Sequence, residues 1–236
     1  MDQIREWLDS ARSVAVLTGA GISAESGIPT FRGPGGLWRQ YRPEDLATPE
    51  AFARDPRLVW EWYDWRRSLI APAQPNAGHL ALAELERRFP AFSLITQNVD
   101  GLHDRAGSRH VLKVHGDIWT LRCSECGREH ADFRTPLPEL PPRCFCGGIE
   151  RPGVVWFGEA LPDEIWRRAE LAARHASLFL VIGTSAAVYP AAGLIELAKS
   201  AGARVVEVNV EETAVSPIVD LSLRGPAAEI LPGIAA

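Results

Sequence analysis

The chain has 236 residues, of which 46% are hydrophobic and 23% charged, enough to bury a full core as one domain with an insertion or as two modest domains. A net charge of −5 and a pI near 5.7 argue against a broad nucleic-acid-binding surface and leave room only for local basic patches. The charged start Met1-Asp2-Gln3-Ile4-Arg5-Glu6 lacks the apolar core of a secretory signal, and the weakly polar stretch 177–198 is broken by Gly183, Pro190 and Gly193, so neither export nor a membrane span is expected.

Ile4, Trp7, Leu8 and Ala11 recur at helical spacing, predicting an amphipathic helix over about residues 2–11. The apolar run Val14-Ala15-Val16-Leu17 leads directly into Gly19–Arg32, whose spacing Gly19-x-Gly21-x5-Gly27 departs from the plain dinucleotide fingerprint. On spacing alone this is either a phosphate loop or a glycine-rich turn. Asp55 as cap and Pro56 at the first helical position start a helix through the tryptophan-rich segment that follows. Short apolar runs return at Phe92–Ile95, Val111–Val114, Leu178–Ile182 and Val205–Val208, separated in part by helical patterns at Gly78–Phe89, Asp163–Arg174 and Ala191–Ser200. Such alternation predicts an α/β fold, a parallel sheet covered on both faces. Ligands bind beyond the carboxyl ends of such strands. There the chain places Gly19–Arg32, Thr96–Asp100, His115-Gly116, Gly183–Ser185 and Asn209–Glu211. Two stretches, about 33–76 and 119–150, interrupt the alternation as insertions.

The second insertion holds all four cysteines, Cys123-x2-Cys126 and Cys144-x-Cys146. Two short-spaced pairs can surround one tetrahedral ion, and four protein ligands leave no open coordination position, so a single structural zinc is expected. Buried or redox-active thiols are the plainer alternative, but a proline-rich module of about 30 residues has little core of its own without a metal. A reducing, cytoplasmic setting suits free thiols. Residues 119–150 carry no basic excess, so direct nucleic-acid binding by the module is not expected.

Taken together, Gly19–Arg32, Thr96-Gln97-Asn98-Val99-Asp100-Gly101-Leu102-His103, Val114-His115-Gly116, the four cysteines, Val154-Val155-Trp156-Phe157-Gly158-Glu159, Gly183-Thr184-Ser185 and Val208-Asn209 resemble one family, the sirtuins, NAD-dependent protein-lysine deacylases. The resemblance runs through nearly the whole chain in the family's order. It implies a Rossmann-like domain formed by 1–32, 77–118 and 151–236, a helical insertion at 33–76 carrying a cofactor loop and an acyl-pocket helix, and a zinc ribbon at 119–150. NAD would be held by Gly19, Ala20, Gly21, Glu25, Thr30, Phe31, Arg32 and Trp38, with Gln97, Asn98 and Asp100 around nicotinamide and ribose. Gly183, Thr184, Ser185, Asn209, Glu211 and, by a loose match, Ala227 would take the adenosine side. His115 falls on the general base, a role that an imidazole titrating near neutrality can fill. By the same resemblance the acyl-lysine oxygen attacks the anomeric carbon, nicotinamide leaves, and the ribose 2′-hydroxyl takes the acyl group. NAD is thereby consumed, giving acyl-ADP-ribose and free lysine.

Tyr63 and Arg66 lie three apart on one helix face. Their plainest reading is a half-buried tyrosine beside a solvated arginine. The pair also resembles the family branch that removes succinyl and malonyl groups, where hydroxyl and guanidinium receive a distal carboxylate, and Ala47 matches a small residue that makes room for the longer chain. Val155, Trp156 and Phe157 match the strip that clasps the substrate peptide, although they would also serve as a buried strand. A protein ADP-ribosyltransferase or a non-catalytic NAD or ADP-ribose sensor could use the same cofactor site.

Overall fold

The computed structural model describes residues 2–31, 36–37 and 42–235. Arg32 and Trp38, expected at the cofactor, lie outside the described residues. Helix α1 (Asp2–Ser10) precedes β1 (Val14–Thr18), a 3-10 helix (Ala20–Ser26), α2 (Pro43–Leu46), α3 (Pro49–Arg54), α4 (Pro56–Ile70), α5 (Ala77–Arg88), β2 (Phe92–Thr96), α6 (Leu102–Arg105) and β3 (Val111–Lys113). Three strands follow, β4 (Gly116–Cys123), β5 (Glu129–Ala131) and β6 (Glu150–Val154). The chain then runs through α7 (Asp163–His175), β7 (Leu178–Ile182), α8 (Gly193–Ser200), β8 (Arg204–Asn209), β9 (Leu221–Arg224) and α9 (Ala227–Ala235).

The large sheet has the order β3-β2-β1-β7-β8-β9, and every pair in it is parallel. This is the Rossmann-like doubly wound arrangement, with its switch point between β1 and β7. All five residues of β1 and all five of β7 are buried, because helices cover both faces. The pleat sorts the side chains. Val14, Val16, Leu180 and Ile182 pack with Leu8, Leu82, Leu85 and Leu231 on one face, whereas Ala15, Leu17, Phe179 and Val181 pack with Ala169, Ala173, Leu194 and Ile195 on the other.

The predicted helix at Asp55-Pro56 forms as α4, with the Asp55 carboxylate accepting from Leu58 N at 3.0 Å. Strand β9 and helix α9 were not anticipated. Ser222 and Arg224 interrupt the apolar pattern of the one, and Pro232 lies inside the other. The segment from Gly116 to Val154 forms a separate antiparallel sheet of order β5-β4-β6. Its core is shared with the helical insertion, since Val59, Trp60 and Ile70 pack with Ile118, Trp119 and Leu121. Polar contacts add to this junction. Trp60 Nε1 donates to Glu150 O at 2.7 Å, and the fully buried Arg67 donates to the carbonyls of Ile118, Asp132 and Arg134. No helix among the described residues is long and apolar enough to cross a membrane.

Candidate functional site

The switch point is closed by backbone meeting backbone. Gly19 N donates to Ile182 O at 3.0 Å and Gly21 N to Gly183 O at 2.7 Å. A Cβ on Gly21 would lie 2.7 Å from Gly183 Cα, and one on Gly183, at φ 58°, would lie 2.4 Å from Ile22 N. The glycine spacing therefore serves the approach of two strand-end loops, and the segment after Gly19 is a 3-10 helix rather than an open turn. Above this junction opens a cleft of about 520 Å³, with the small sheet and α4 on its far side.

Most of the residues singled out in the sequence converge there. Gly19, Ala20, Gly21, Thr30, Phe31, Gln97, Asn98, Gly183, Thr184, Ser185, Asn209 and Glu211 line the cleft, as do His115, Ala47, Tyr63, Arg66, Val155, Trp156 and Phe157. Glu25 and Ala227 are not among the lining residues. The exposed Glu25 instead accepts from Ala228 N at 2.8 Å at the start of α9, where a carboxylate suits unpaired backbone donors. Ala227, the first residue of that helix, packs in the core. Asp100 is buried one layer behind the lining.

His115 Nδ1 lies 3.1 Å from Gln97 O. A carbonyl oxygen only accepts, so Nδ1 carries the proton and Nε2 is left as the acceptor. Burial lowers the imidazole pKa and outweighs the hydrogen bond to Gln97, which raises it; the ring is thus neutral and available as a base at neutral pH. Asn98 Nδ2 donates to Gly19 O at 3.0 Å and to Ser23 Oγ at 3.3 Å, which leaves its Oδ1 as an acceptor at the cleft wall. Behind it runs a buried relay. Asn76 N donates to His79 Nδ1 at 3.4 Å, so His79 Nε2 holds the ring proton and donates to Ser23 Oγ at 3.3 Å, and Ser23 donates to Asp100 Oδ2 at 2.8 Å. Burial raises the Asp100 pKa, against lowering by hydrogen bonds from Leu102 and Ser23. Burial alone drives His79 down to about 4.

At the other end, Arg66 is 7% exposed. Its guanidinium lies over the rings of Phe31 (4.7 Å), Trp62 (5.0 Å) and Tyr63 (5.8 Å), and among the described residues no carboxylate or other acceptor pairs with it. Burial lowers its pKa, with Tyr63 and Asp100 acting in the opposite sense. Of the two readings of Arg66, the plain one of a solvated side chain gives way to a buried cation at the cleft, with no paired acceptor among the described residues.

Glu207 lies outside the motifs that point to the cleft. This fully buried carboxylate in β8 accepts from Ser216 (2.7 Å), Ser222 (3.1 Å) and Arg224 (2.7 Å), and from Thr213. It anchors the loop whose residues Val210, Glu211, Glu212 and Thr213 form one wall of the cleft. A charged residue inside the otherwise apolar Val205–Val208 was the available signal. Ser23, inside the glycine segment, offered none.

The four cysteine sulfurs lie within 4.8 Å of one another, with Cys123 to Cys146 at 3.5 Å and Cys126 to Cys144 at 3.7 Å. A tetrahedral zinc with Zn–S bonds of about 2.3 Å has sulfurs about 3.8 Å apart. The donor set and its size fit one structural zinc, and its closed ligand shell makes its contribution stabilising rather than catalytic.

A Rossmann-like sheet open at its switch point, faced by an antiparallel module with a four-thiolate cluster, defines a two-part nucleotide-cleft protein. The chain belongs to the Sir2 family, whose model matches residues 19–190. It is 61% identical over 213 residues to an NAD-dependent protein deacylase of Aquifex aeolicus, covering 90% of this chain and 89% of that one. It is 57% identical to NAD-dependent protein deacylase 2 of Pyrobaculum aerophilum, covering 97% and 92%. A mutant Sir2 homologue in complex with ADP ribose superimposes with a TM-score of 0.96 at 47% identity, covering 100% and 95%. A Sir2 structure with a p53 peptide and NAD+ does so with 0.91 at 33% identity, covering 99% and 96%.

Proposed function

We propose that this chain is an NAD-dependent protein-lysine deacylase that removes acidic acyl groups, succinyl and malonyl, as well as acetyl. The observation that carries the reading is the meeting, in one cleft, of the His115 imidazole with Nε2 free and the unpaired donors of Arg66 and Tyr63. NAD would extend along the switch point, with its adenosine end by Gly183–Ser185, Asn209 and Glu211. Nicotinamide and its ribose would sit by Gln97 and Asn98, with Asp100 acting through Ser23 from behind. His115 would take the proton of a ribose hydroxyl as the acyl group transfers to it. Phe31 would cover the reacting end, and Val155–Phe157 would hold the peptide on either side of the lysine. Arg66 would receive the acyl carboxylate, for which a planar guanidinium is well shaped. The zinc module would set the far wall of the cleft. Four zinc-holding thiolates with no disulfide among them suit a reducing compartment such as the cytoplasm.

Nicotinamide release should depend on an acylated peptide and vanish in His115→Tyr, and mass spectrometry of the products should find acyl-ADP-ribose and unmodified lysine. A peptide gaining the mass of ADP-ribose, with no acyl-ADP-ribose formed, would instead establish ADP-ribosyl transfer and defeat the deacylase reading.

A further inference from the structure

We propose that Trp156 is a specificity-determining residue that acts through Tyr63: by donating to the phenol oxygen it turns the tyrosine hydroxyl into a hydrogen-bond donor aimed at an acyl carboxylate. The inference rests on the carboxylate-pocket reading above and adds to it the residue that polarises the pocket.

Trp156 Nε1 donates to Tyr63 Oη at 2.9 Å, and both side chains are 3% exposed. An indole nitrogen can only donate. The phenol oxygen must therefore accept, and its own proton must point elsewhere. Among the described residues Tyr63 has no second hydrogen-bond partner, and the nearby guanidinium of Arg66 has no lone pair to offer. Two donors, the phenol O–H and the guanidinium, are thus left at the same end of the cleft with no acceptor among the described residues. Burial raises the tyrosine pKa, against lowering by Arg66 and by the Trp156 bond, so the phenol keeps its proton. Unmade hydrogen bonds at a buried site are costly. A carboxylate satisfies both donors, and the chain from indole to phenol to carboxylate strengthens each bond in it. An acetyl methyl group satisfies neither.

The indole is locked for this purpose. Arg151 stacks on its face at 3.5 Å, and Phe52 lies against it with ring centroids 5.2 Å apart. Arg151 also pairs with both oxygens of Glu159 at 2.6 and 2.8 Å, and Glu159 Oε2 accepts from Trp156 N at 2.8 Å. Without the indole donor, the phenol oxygen becomes free to accept from Arg66. The two groups would then satisfy each other and cease to select an anion.

The test is the ratio of kcat/KM for succinyl- over acetyl-peptide, measured on the same preparation so that any inactive fraction cancels. Trp156→Phe, which keeps an aromatic ring and removes the N–H, should lower the ratio about tenfold. In a Tyr63→Phe background the same substitution should leave the ratio where Tyr63→Phe put it. An equal drop in both backgrounds, or no drop in the presence of Tyr63, overturns the proposal. If Tyr63→Phe and Arg66→Met lower the ratio while Trp156→Phe does not, the role of Trp156 alone fails. If none of the three moves it, the carboxylate pocket fails as well.

Discussion

Replacement of Arg66 by methionine separates recognition from folding. In the free protein the guanidinium is buried, and among the described residues no carboxylate is hydrogen-bonded or ion-paired to it, so removing it relieves a desolvation cost. Opposing this, three aromatic contacts lie at 4.7, 5.0 and 5.8 Å, worth up to about 2 kcal/mol each at a desolvated site. The unbranched methionine keeps the apolar stem packing between the rings. These contributions offset one another, and Arg66→Met is expected to remain within about 1 kcal/mol of wild type in stability. Catalysis should respond very differently. A desolvated, charge-assisted pair broken on one side costs about 2–3 kcal/mol at the low end of the usual range. At about 1.4 kcal/mol per tenfold, the succinyl-to-acetyl ratio of kcat/KM should fall about 30- to 150-fold. Peptide turnover with both substrates, alongside urea unfolding, reads the two quantities independently. An unchanged ratio in a stably folded variant would refute carboxylate recognition by Arg66; a collapse of stability with both activities lost together would make the arginine a structural residue.

Two further outcomes follow from buried groups around the cleft. His79 has an ordinary value of 6.5 that burial lowers to about 4, so as pH falls the unfolded chain binds a proton that the folded chain refuses. Its effect is absent well above 6.5 and grows on acidification, reaching about 2 kcal/mol of lost stability near pH 5; urea unfolding across this range should be steeper in pH for wild type than for His79→Asn, and parallel curves would refute it. Burial alone would raise the pKa of Glu207, but hydrogen bonds from Ser216 and Thr213 and the Arg224 pair hold it below the usual carboxylate value. Its contribution is therefore present above the unfolded carboxylate pKa and lost as pH falls through the lower folded one. Glu207→Gln at neutral pH should raise the KM for NAD about tenfold with kcat and the peptide KM little changed, and an unaltered NAD KM would show that the loop is held without it.

Local physics made much of this protein legible before its structure. Apolar runs of strand length alternating with helical periods are enough to specify the parallel sheet, and Asp55-Pro56 to start α4, because capping and periodicity involve only neighbours in sequence. Cysteine spacing likewise implied a metal-sized cluster, since each pair is joined by a short turn. The unanticipated β9 depends on pairing with β8, and no feature within its four residues announces that partner. Glu25 illustrates the same limit, because the helix end it caps lies 203 residues away.

The order of the motifs along the chain was sufficient to bring out the family and the cleft's principal residues. Only tertiary structure decided their electrostatic state. Whether Arg66 is solvated or buried, whether His115 presents Nδ1 or Nε2, and which way the hydroxyl of Tyr63 points are set by Phe31, Gln97 and Trp156, residues far from them in sequence. Burial and hydrogen-bond direction are properties of surroundings rather than of residue type, so the sequence determined which groups meet at the cleft and the fold determined what each can donate or accept.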